Sequence, residues 1–502
     1  MAPLADLYQV SMAYGHWRAG RQRAPAAAEL FFRRPPFRGS FALGAGLAEG
    51  LRGLRAFRFS AADVAYLRSV LPSTIDDAFF DYLATLDASE VTVTAIPEGS
   101  VVFARVPFLQ VKGPLLVVQL LETTLLCLIN YASLVATNAA RFRLLAGPDM
   151  KLIEMGLRRA QGPDGALSAS KYSYIGGFDC TSNILAGKLY GIPVRGTIAH
   201  SFIMSFRCLE EVQPRGLQGL PGAFSRLDIP ILAPEQRGFI PWSISVASSG
   251  SAPAAPRSPD VGPQGWSSSA GGVSPERGRG AEFPPLLLPP LWDQPRTQGN
   301  SRCQHWVMAK SLPTRSPKSS TGRRRQNAQL WGGFRVFCLF SADFHQLPPQ
   351  RGHRFPSLLP QLVEVNGSPC LKLTEDEEKM TIPGMKAIYR LYDAAGHPFM
   401  DLMALEEEPS PSAGQELGIR VLGRLEETTK VIPTTVESLH RTYFRDGQVC
   451  EPLPSLPEVR THAQVSLNLL SPAHRRLHEP QPYPVAVTER LHQLFLELRQ
   501  GS

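Results

Sequence analysis

The sequence predicts an α/β fold, and three observations in one stretch, residues 158–200, support this prediction. Extended apolar runs alternate there with a short helical pattern at 184–189. The extended runs end in polar turns. An arginine pair, several hydroxyls and one histidine follow the strand ends. In α/β barrels the catalytic groups lie where strands end and loops begin, so we expect these groups to meet at one mouth that suits a phosphate-rich substrate.

Composition is that of a folded protein of two or three domains. The chain has 502 residues, of which 43% are hydrophobic and 19% charged, enough to form a globular core. The net charge of +8 is concentrated in residues 207–360, which hold 18 of the 52 basic and 9 of the 44 acidic residues. The remainder is nearly neutral, so we expect no groove for nucleic acid.

Cysteine usage and the N-terminus indicate a cytoplasmic (cytosolic) protein. The seven cysteines are scattered and include no Cys-x-x-Cys pair, so neither a disulfide framework nor a zinc site is predicted. The N-terminal residues lack the basic and apolar segments of a signal peptide. The apolar run 115–129 is interrupted by Gln119 and Glu122 and is shorter than the roughly 20 residues of a membrane span. We predict buried core there and no membrane partner.

Residues 1–113 predict an N-terminal α+β domain. Residues 6–17 have helical spacing, and a strand at 29–34 ends at two prolines. Residues 41–90 are predicted to be mostly helical, with caps at Ser60 and Ser73 and core candidates at Leu67, Val70 and Leu71. Alternating apolar residues in 91–113 predict a small antiparallel sheet.

Residues 114–206 are predicted to form part of the α/β barrel. A long helix at 115–143 contains Asn130, Thr137 and Asn138, whose buried polar groups need partners, so we expect it to lie against a polar site. A strand at 151–155 then delivers Arg158.

Residues 207–361 form an atypical segment rich in Pro, Ser, Gly and Arg. Residues 207–360 contain 21 of the 45 prolines, and neither helical nor strand periodicity persists, so we predict disorder. An alternative exon or a shifted reading frame would account for such a segment.

Residues 362–502 predict a C-terminal part made of strands and a terminal helix. A hairpin at 362–373 turns at Asn366-Gly367. Strands follow within 386–403, and an amphipathic helix spans about 487–499.

The two ends of the chain resemble the nicotinate phosphoribosyltransferase family, of the vertebrate type. The resemblance covers about residues 1–206 and 362–502. It rests on segments that include Asp6-Leu7-Tyr8-Gln9, Glu29-Leu30-Phe31-Phe32-Arg33-Arg34, Gly156-Leu157-Arg158-Arg159-Ala160-Gln161-Gly162, Tyr174-Ile175-Gly176-Gly177-Phe178-Asp179, Gly196-Thr197-Ile198-Ala199-His200-Ser201 and Cys450-Glu451-Pro452-Leu453-Pro454.

The resemblance implies an irregular phosphoribosyltransferase-type α/β barrel, incomplete here, of which residues 114–206 would be the first half. It implies that residues 362–502 complete the α+β domain of residues 1–113, so that this domain is built from both chain ends. It implies a homodimer with shared active sites. The implied reaction joins nicotinate to phosphoribosyl pyrophosphate, giving nicotinate mononucleotide and pyrophosphate, the entry step of NAD synthesis from nicotinate. ATP as co-substrate, a transient phosphohistidine and Mg²⁺ or Mn²⁺ are implied as well.

The resemblance also assigns site residues. His200 matches the phosphorylated histidine. Arg158 is expected to enter the barrel, because neighbours on a strand face opposite ways, and the reverse assignment to Arg159 stays open. Four further residues are implied to bind substrate: Tyr8, Thr197, Ser182 and Asn183. Tyr8 would stack on the pyridine ring across the dimer interface, or be an ordinary helix–core tyrosine.

One departure from the family separates two hypotheses. An Asp-Ser-Gly-Asp strand end and a Gly-x-Gly-Thr turn, both expected after His200, are absent from 207–360. The chain is therefore either an enzyme of the family or an inactive isoform or mis-spliced product that at most pairs with intact subunits. The missing motifs predict no nicotinate-dependent pyrophosphate release from the purified chain. The basic run 315–325 indicates nuclear import or RNA contact in the second case, or simply a solvated segment.

Overall fold

The computed structural model describes residues 2–196, 335–339, 358–372, 374 and 380–500, with the backbone alone for 335–339 and 358–360. The helices of these ranges are α1 Leu7–Arg18, α2 Leu47–Arg55, α3 Ala61–Val70, α4 Asp77–Ala84, α5 Leu115–Ala146, α6 Gly162–Ile175, α7 Ile184–Tyr190, α8 Leu456–Leu469, α9 Pro472–Arg475 and α10 Glu489–Gln500.

The strands of the same ranges run in both halves of the chain. They are β1 Pro25–Phe32, β2 Ala42–Leu43, β3 Thr92–Ala95, β4 Val101–Val102, β5 Pro107–Pro114, β6 Met150–Glu154, β7 Cys180–Thr181, β8 Arg335–Leu339, β9 Leu358–Val365, β10 Ser368–Pro369, β11 Lys386–Tyr392, β12 Pro398–Leu405, β13 Leu417–Val421, β14 Thr428–Val431, β15 Thr435–Ser438, β16 Arg441–Arg445, β17 Gln448–Val449 and β18 Val485–Thr488.

A seven-stranded sheet joins the two ends of the chain, in the order β10-β9-β1-β5-β3-β16-β17. Strand β1 lies between β5 and β9 and pairs with both in antiparallel fashion. The sheet is built from strands before residue 115 and after residue 357. The alternation in 91–113 is confirmed as β3 and β5, which pair in antiparallel fashion.

The C-terminal half adds a six-stranded sheet, in the order β14-β13-β18-β12-β11-β15. The Asn366-Gly367 turn is confirmed: both residues have positive φ, 51° and 71°, which suits a tight hairpin. The second strand of this hairpin is Ser368–Pro369, earlier and shorter than predicted. The terminal helix begins at Glu489, because residues 485–488 pair as strand β18 with β12 and β13.

The long helix α5 is the central packing element of the first half. By length and apolar composition it would also fit a membrane span, but 56% of its most apolar 18-residue stretch is buried inside the protein. Most of its apolar side chains between Leu115 and Ala140 are buried. Thr137 accepts a hydrogen bond from the backbone N–H of Leu43 at 2.8 Å. Its hydroxyl therefore joins α5 to β2.

Two of the predicted details in residues 41–90 are wrong. Ser60 caps α3 as predicted, with its side chain accepting from the backbone N–H of Asp63. Ser73 caps nothing, since Asp76 is the N-cap of α4. Val70, predicted as a core residue, is 51% exposed. No residue of α3 is buried. This helix lies on the surface.

A three-stranded parallel sheet, in the order β7-β6-β8, carries the polar turns of the predicted mouth. Thr181 extends it through a parallel bridge to Val194. At the start of β7, Asp179 accepts hydrogen bonds from Arg143 of α5 at 2.7 Å and from Arg460 of α8 at 3.0 Å. These bonds tie the parallel strands to both halves of the chain.

The domain boundaries stay a prediction. Strand β8 lies inside the segment 207–361, of which only 335–339 and 358–361 are described.

Candidate active site

The polar turns after β6 and β7 lie at one edge of the parallel sheet. Ile153 pairs with Cys180 and Glu154 with Thr181, so the carboxyl ends of both strands point the same way. The turn 156–159 follows β6, and Ser182-Asn183 follows β7. Loops at the carboxyl ends of parallel strands are where α/β proteins bind ligands. Both turns therefore lie at the same edge of the sheet, while the single substrate mouth stays a prediction.

Arg158 and Arg159 do not lie on a strand. Strand β6 ends at Glu154, and the two arginines belong to a 3₁₀ turn, Leu157–Arg159, where both are exposed. Consecutive side chains of a 3₁₀ turn project about 120° apart. The argument from strand alternation is therefore wrong for this pair, and which guanidinium faces the substrate stays a prediction.

Ser182 and Asn183 have different surroundings. The backbone N–H of Ser182 donates to the carbonyl oxygen of Glu154 at 2.9 Å, which fixes its turn against β6. Asn183 is 3% exposed. Its side chain caps α7 by accepting from the N–H of Ala186 at 3.2 Å and donates to Ser170 at 3.3 Å. The geometry gives Asn183 a structural role, while contact with substrate stays a prediction for both.

Glu154 lies at the centre of this edge and was missed from sequence. It is 2% exposed, and its carboxylate accepts hydrogen bonds from Ser170 at 2.9 Å, from Thr181 at 2.7 Å and from the N–H of Gly156. Burial, together with the Glu154 charge, raises the pKa of Tyr131 on α5 to about 12. Tyr131 therefore stays a neutral phenol beside the site.

Ser170 reaches Glu154 from α6, a helix that the sequence analysis did not predict. Small and polar residues give α6 only weak helical periodicity. Its start nevertheless carries two recognisable signals, Pro163 in the first turn and Asp164 beside it, both typical of a helix N-terminus. These signals could have revealed the helix.

Tyr8 lies on α1 with nearly half of its surface, 48%, exposed. Its hydroxyl donates to Glu122 of α5 at 3.4 Å. Burial, with the Glu122 charge, raises the pKa of Tyr8. Three further apolar side chains near it in sequence are also exposed, those of Leu4, Leu7 and Met12. Tyr8 is therefore a surface residue and not a core residue of α1.

Two of the predicted site residues, Thr197 and His200, lie outside the described residues. Among the residues described, no three His, Cys, Asp or Glu side chains come together to hold a metal ion. The expected Mg²⁺ or Mn²⁺ stays a prediction.

Comparison with known proteins identifies the family. Models of the N-terminal and C-terminal domains of nicotinate phosphoribosyltransferase match residues 4–130 and 385–495. The nicotinate phosphoribosyltransferase of Homo sapiens is 45% identical over 550 residues, covering 99% of this chain and 97% of that protein. The chain belongs to the nicotinate phosphoribosyltransferase family.

Further members of the family agree with this assignment. The nicotinate phosphoribosyltransferase of Caenorhabditis elegans is 38% identical over 98% of this chain and 92% of its own length. The crystal structure of human nicotinic acid phosphoribosyltransferase superimposes with a TM-score of 0.67 at 38% identity, covering 98% of this chain and 99% of that one. Nicotinate-nucleotide pyrophosphorylase from Pyrococcus furiosus shares the fold, with a TM-score of 0.51 at 14% identity.

Proposed function

We propose that this chain joins nicotinate to phosphoribosyl pyrophosphate, forming nicotinate mononucleotide and pyrophosphate in the synthesis of NAD. The observation that carries the proposal is the meeting of the Arg158 and Ser182 turns at one strand-end edge, in a member of a phosphoribosyltransferase family. Arg158 is exposed there, and a guanidinium suits a pyrophosphoryl group because it can donate two parallel hydrogen bonds to it.

The reaction is a displacement at the anomeric carbon of ribose. The pyridine nitrogen forms the new bond, the bond to pyrophosphate breaks, and positive charge develops on the ribose ring. Arg158 would stabilise the leaving pyrophosphate, while the mouth positions the two substrates. A hydroxyl at Ser182 suits nicotinate better than a carboxylate would, since nicotinate carries its own negative charge.

The finer family features belong to the same proposal. The parallel strands β6–β8 would be part of an irregular barrel. His200 would take the γ-phosphoryl group of ATP, since a neutral imidazole nitrogen is a competent nucleophile. Later hydrolysis of this phosphohistidine would assist the reaction. Mg²⁺ or Mn²⁺ would accompany the pyrophosphoryl group. The exposed face of α1 with Tyr8 supports a homodimer in which Tyr8 reaches the partner's active site. The enzyme would act in the cytosol.

A second candidate is an inactive chain that acts only as a dimer partner. The observation that favours it is the absence of Asp-Ser-Gly-Asp and Gly-x-Gly-Thr from residues 207–360.

Nicotinate-dependent release of pyrophosphate from the purified chain decides between the two candidates. Turnover that is lost in His200→Ala and in Arg158→Ala, with His478→Ala as the control, supports the enzyme. No turnover, together with co-purification of this chain with an intact member of the family, supports the inactive partner. Turnover that persists in both variants contradicts the assigned site residues.

A further inference from the structure

Glu154 is the last residue of β6, and its carboxylate holds groups from three different elements. Its three donors are the N–H of Gly156 and the hydroxyls of Ser170 and Thr181. Gly156 is the first residue of the turn that carries Arg158, Ser170 lies on α6, and Thr181 is the last residue of β7. At 2% exposed, a carboxylate is unfavourable unless hydrogen bonds compensate its lost hydration. These donors are therefore fixed in place by the need to satisfy it.

The same residue also holds the second turn. Its backbone carbonyl oxygen accepts from the N–H of Ser182 at 2.9 Å. Thr181, while donating to the carboxylate, accepts from the N–H of Asn183 at 3.0 Å. One residue thus determines the position of the Arg158 turn and of the Ser182 turn, each of which follows its strand directly.

We propose that Glu154 is a positioning residue that holds the Arg158 guanidinium in place for the pyrophosphoryl group of phosphoribosyl pyrophosphate. The inference rests on the proposed function. Glu154 acts through the Gly156 N–H, because this bond is made at the first residue of the Arg158 turn. A merely structural glutamate would affect stability but not the dependence of binding on Arg158.

A double-mutant cycle measures this dependence. Affinity for phosphoribosyl pyrophosphate is measured by titration calorimetry in the unmodified chain, Glu154→Gln, Arg158→Ala and the double variant. Glutamine keeps the shape of the side chain but removes the charge that strengthens its hydrogen bonds. We expect Glu154→Gln to weaken binding about 10-fold in the unmodified background and less than about 2-fold when Arg158 is already alanine.

Glu98→Gln is the matched control. It makes the same change at another buried glutamate, whose carboxylate accepts from the backbone N–H groups of Gly46 and Ala48 instead of the Arg158 turn, so affinity should stay within about 2-fold. If Glu154→Gln does not fold, as judged by its urea unfolding curve, Glu154→Asp supplies the same cycle, because it keeps the charge but withdraws the carboxylate by one methylene.

The possible results separate the inference from the proposed function. Equal losses from Glu154→Gln in both backgrounds, or no loss in either, would overturn the positioning role while leaving the function standing. An unmodified chain that binds no phosphoribosyl pyrophosphate would overturn the proposed function and the role of Glu154 together.

Discussion

His440 should make the folded protein sensitive to mild acid. Its Nε2 lies 2.8 Å from the carbonyl oxygen of Pro107, and its buried Nδ1 finds no hydrogen-bond partner among the described residues. Burial lowers the pKa of His440 from 6.5 to about 4, and the positive charge of Lys386 acts in the same direction, whereas Glu406 and the bond to Pro107 oppose it. The ring is therefore neutral in the folded protein at conditions where the unfolded chain would protonate it.

The sign and size of the effect follow from these two values. Between pH 6.5 and 4 the unfolded state binds the extra proton, so stability falls as the pH falls through this window. With a pKa of about 4 folded and 6.5 unfolded, the loss between about pH 7.5 and about pH 4.5 amounts to roughly 2.5 kcal/mol from this residue.

Urea unfolding at the two pH values provides the assay. His440→Gln keeps an N–H able to reach Pro107 but cannot titrate, so it should lose about 2.5 kcal/mol less than the unmodified protein over the same interval. His478→Gln, which changes an exposed side chain, is the control and should behave like the unmodified protein. If His440→Gln and the unmodified protein lose stability equally, burial of His440 is not the source of the acid sensitivity.

Two further predictions concern packing and can be checked by the same unfolding measurement at neutral pH. Asp401→Ala should cost about 3–5 kcal/mol, because Arg390, held by two bonds of 2.8 Å, would remain as a buried charge without its carboxylate; Glu90→Ala, at an exposed ion pair, should cost less than about 1 kcal/mol. Gly176→Ala should cost about 1–3 kcal/mol, because its methyl group would overlap the carbonyl oxygen of Ala136 and lie 2.5 Å from Cβ of Ala139. Gly165→Ala, inside the helix α6 that Gly176 follows, meets nothing closer than 3.5 Å and should be neutral or slightly stabilising. Equal costs within either pair would contradict the reasoning.

Features with local causes were predictable from the sequence. The Asn366-Gly367 turn needs two residues with positive φ, and the Ser60 cap needs only the Asp63 N–H three residues on. Helix α7 was found from its apolar spacing, with one end signalled by Gly191, whose φ is 68°. The two polar turns follow parallel strands, which places them at one edge of the sheet.

Features with distant causes were not predictable. Glu154 looks like an ordinary strand residue until Thr181, 27 positions later, is placed beside it. The placement of the Arg158 pair on a strand was wrong, because β6 ends at Glu154 and the chain then enters a 3₁₀ turn. Val487 was assigned to the terminal helix because its pairing partners, Met403 and Arg420, lie far away in sequence.

The position of β1 between β5 and β9 has a consequence for synthesis on the ribosome. Its first neighbour is complete at residue 114, but its second begins at residue 358, which is 244 residues later. At about 5–20 residues per second, the delay is roughly 12–50 s. During this time one edge of β1 has no partner strand, and such an edge is a site for pairing with other chains. A chaperone that covers nascent strands should therefore raise the yield of this protein more than its mature stability would indicate.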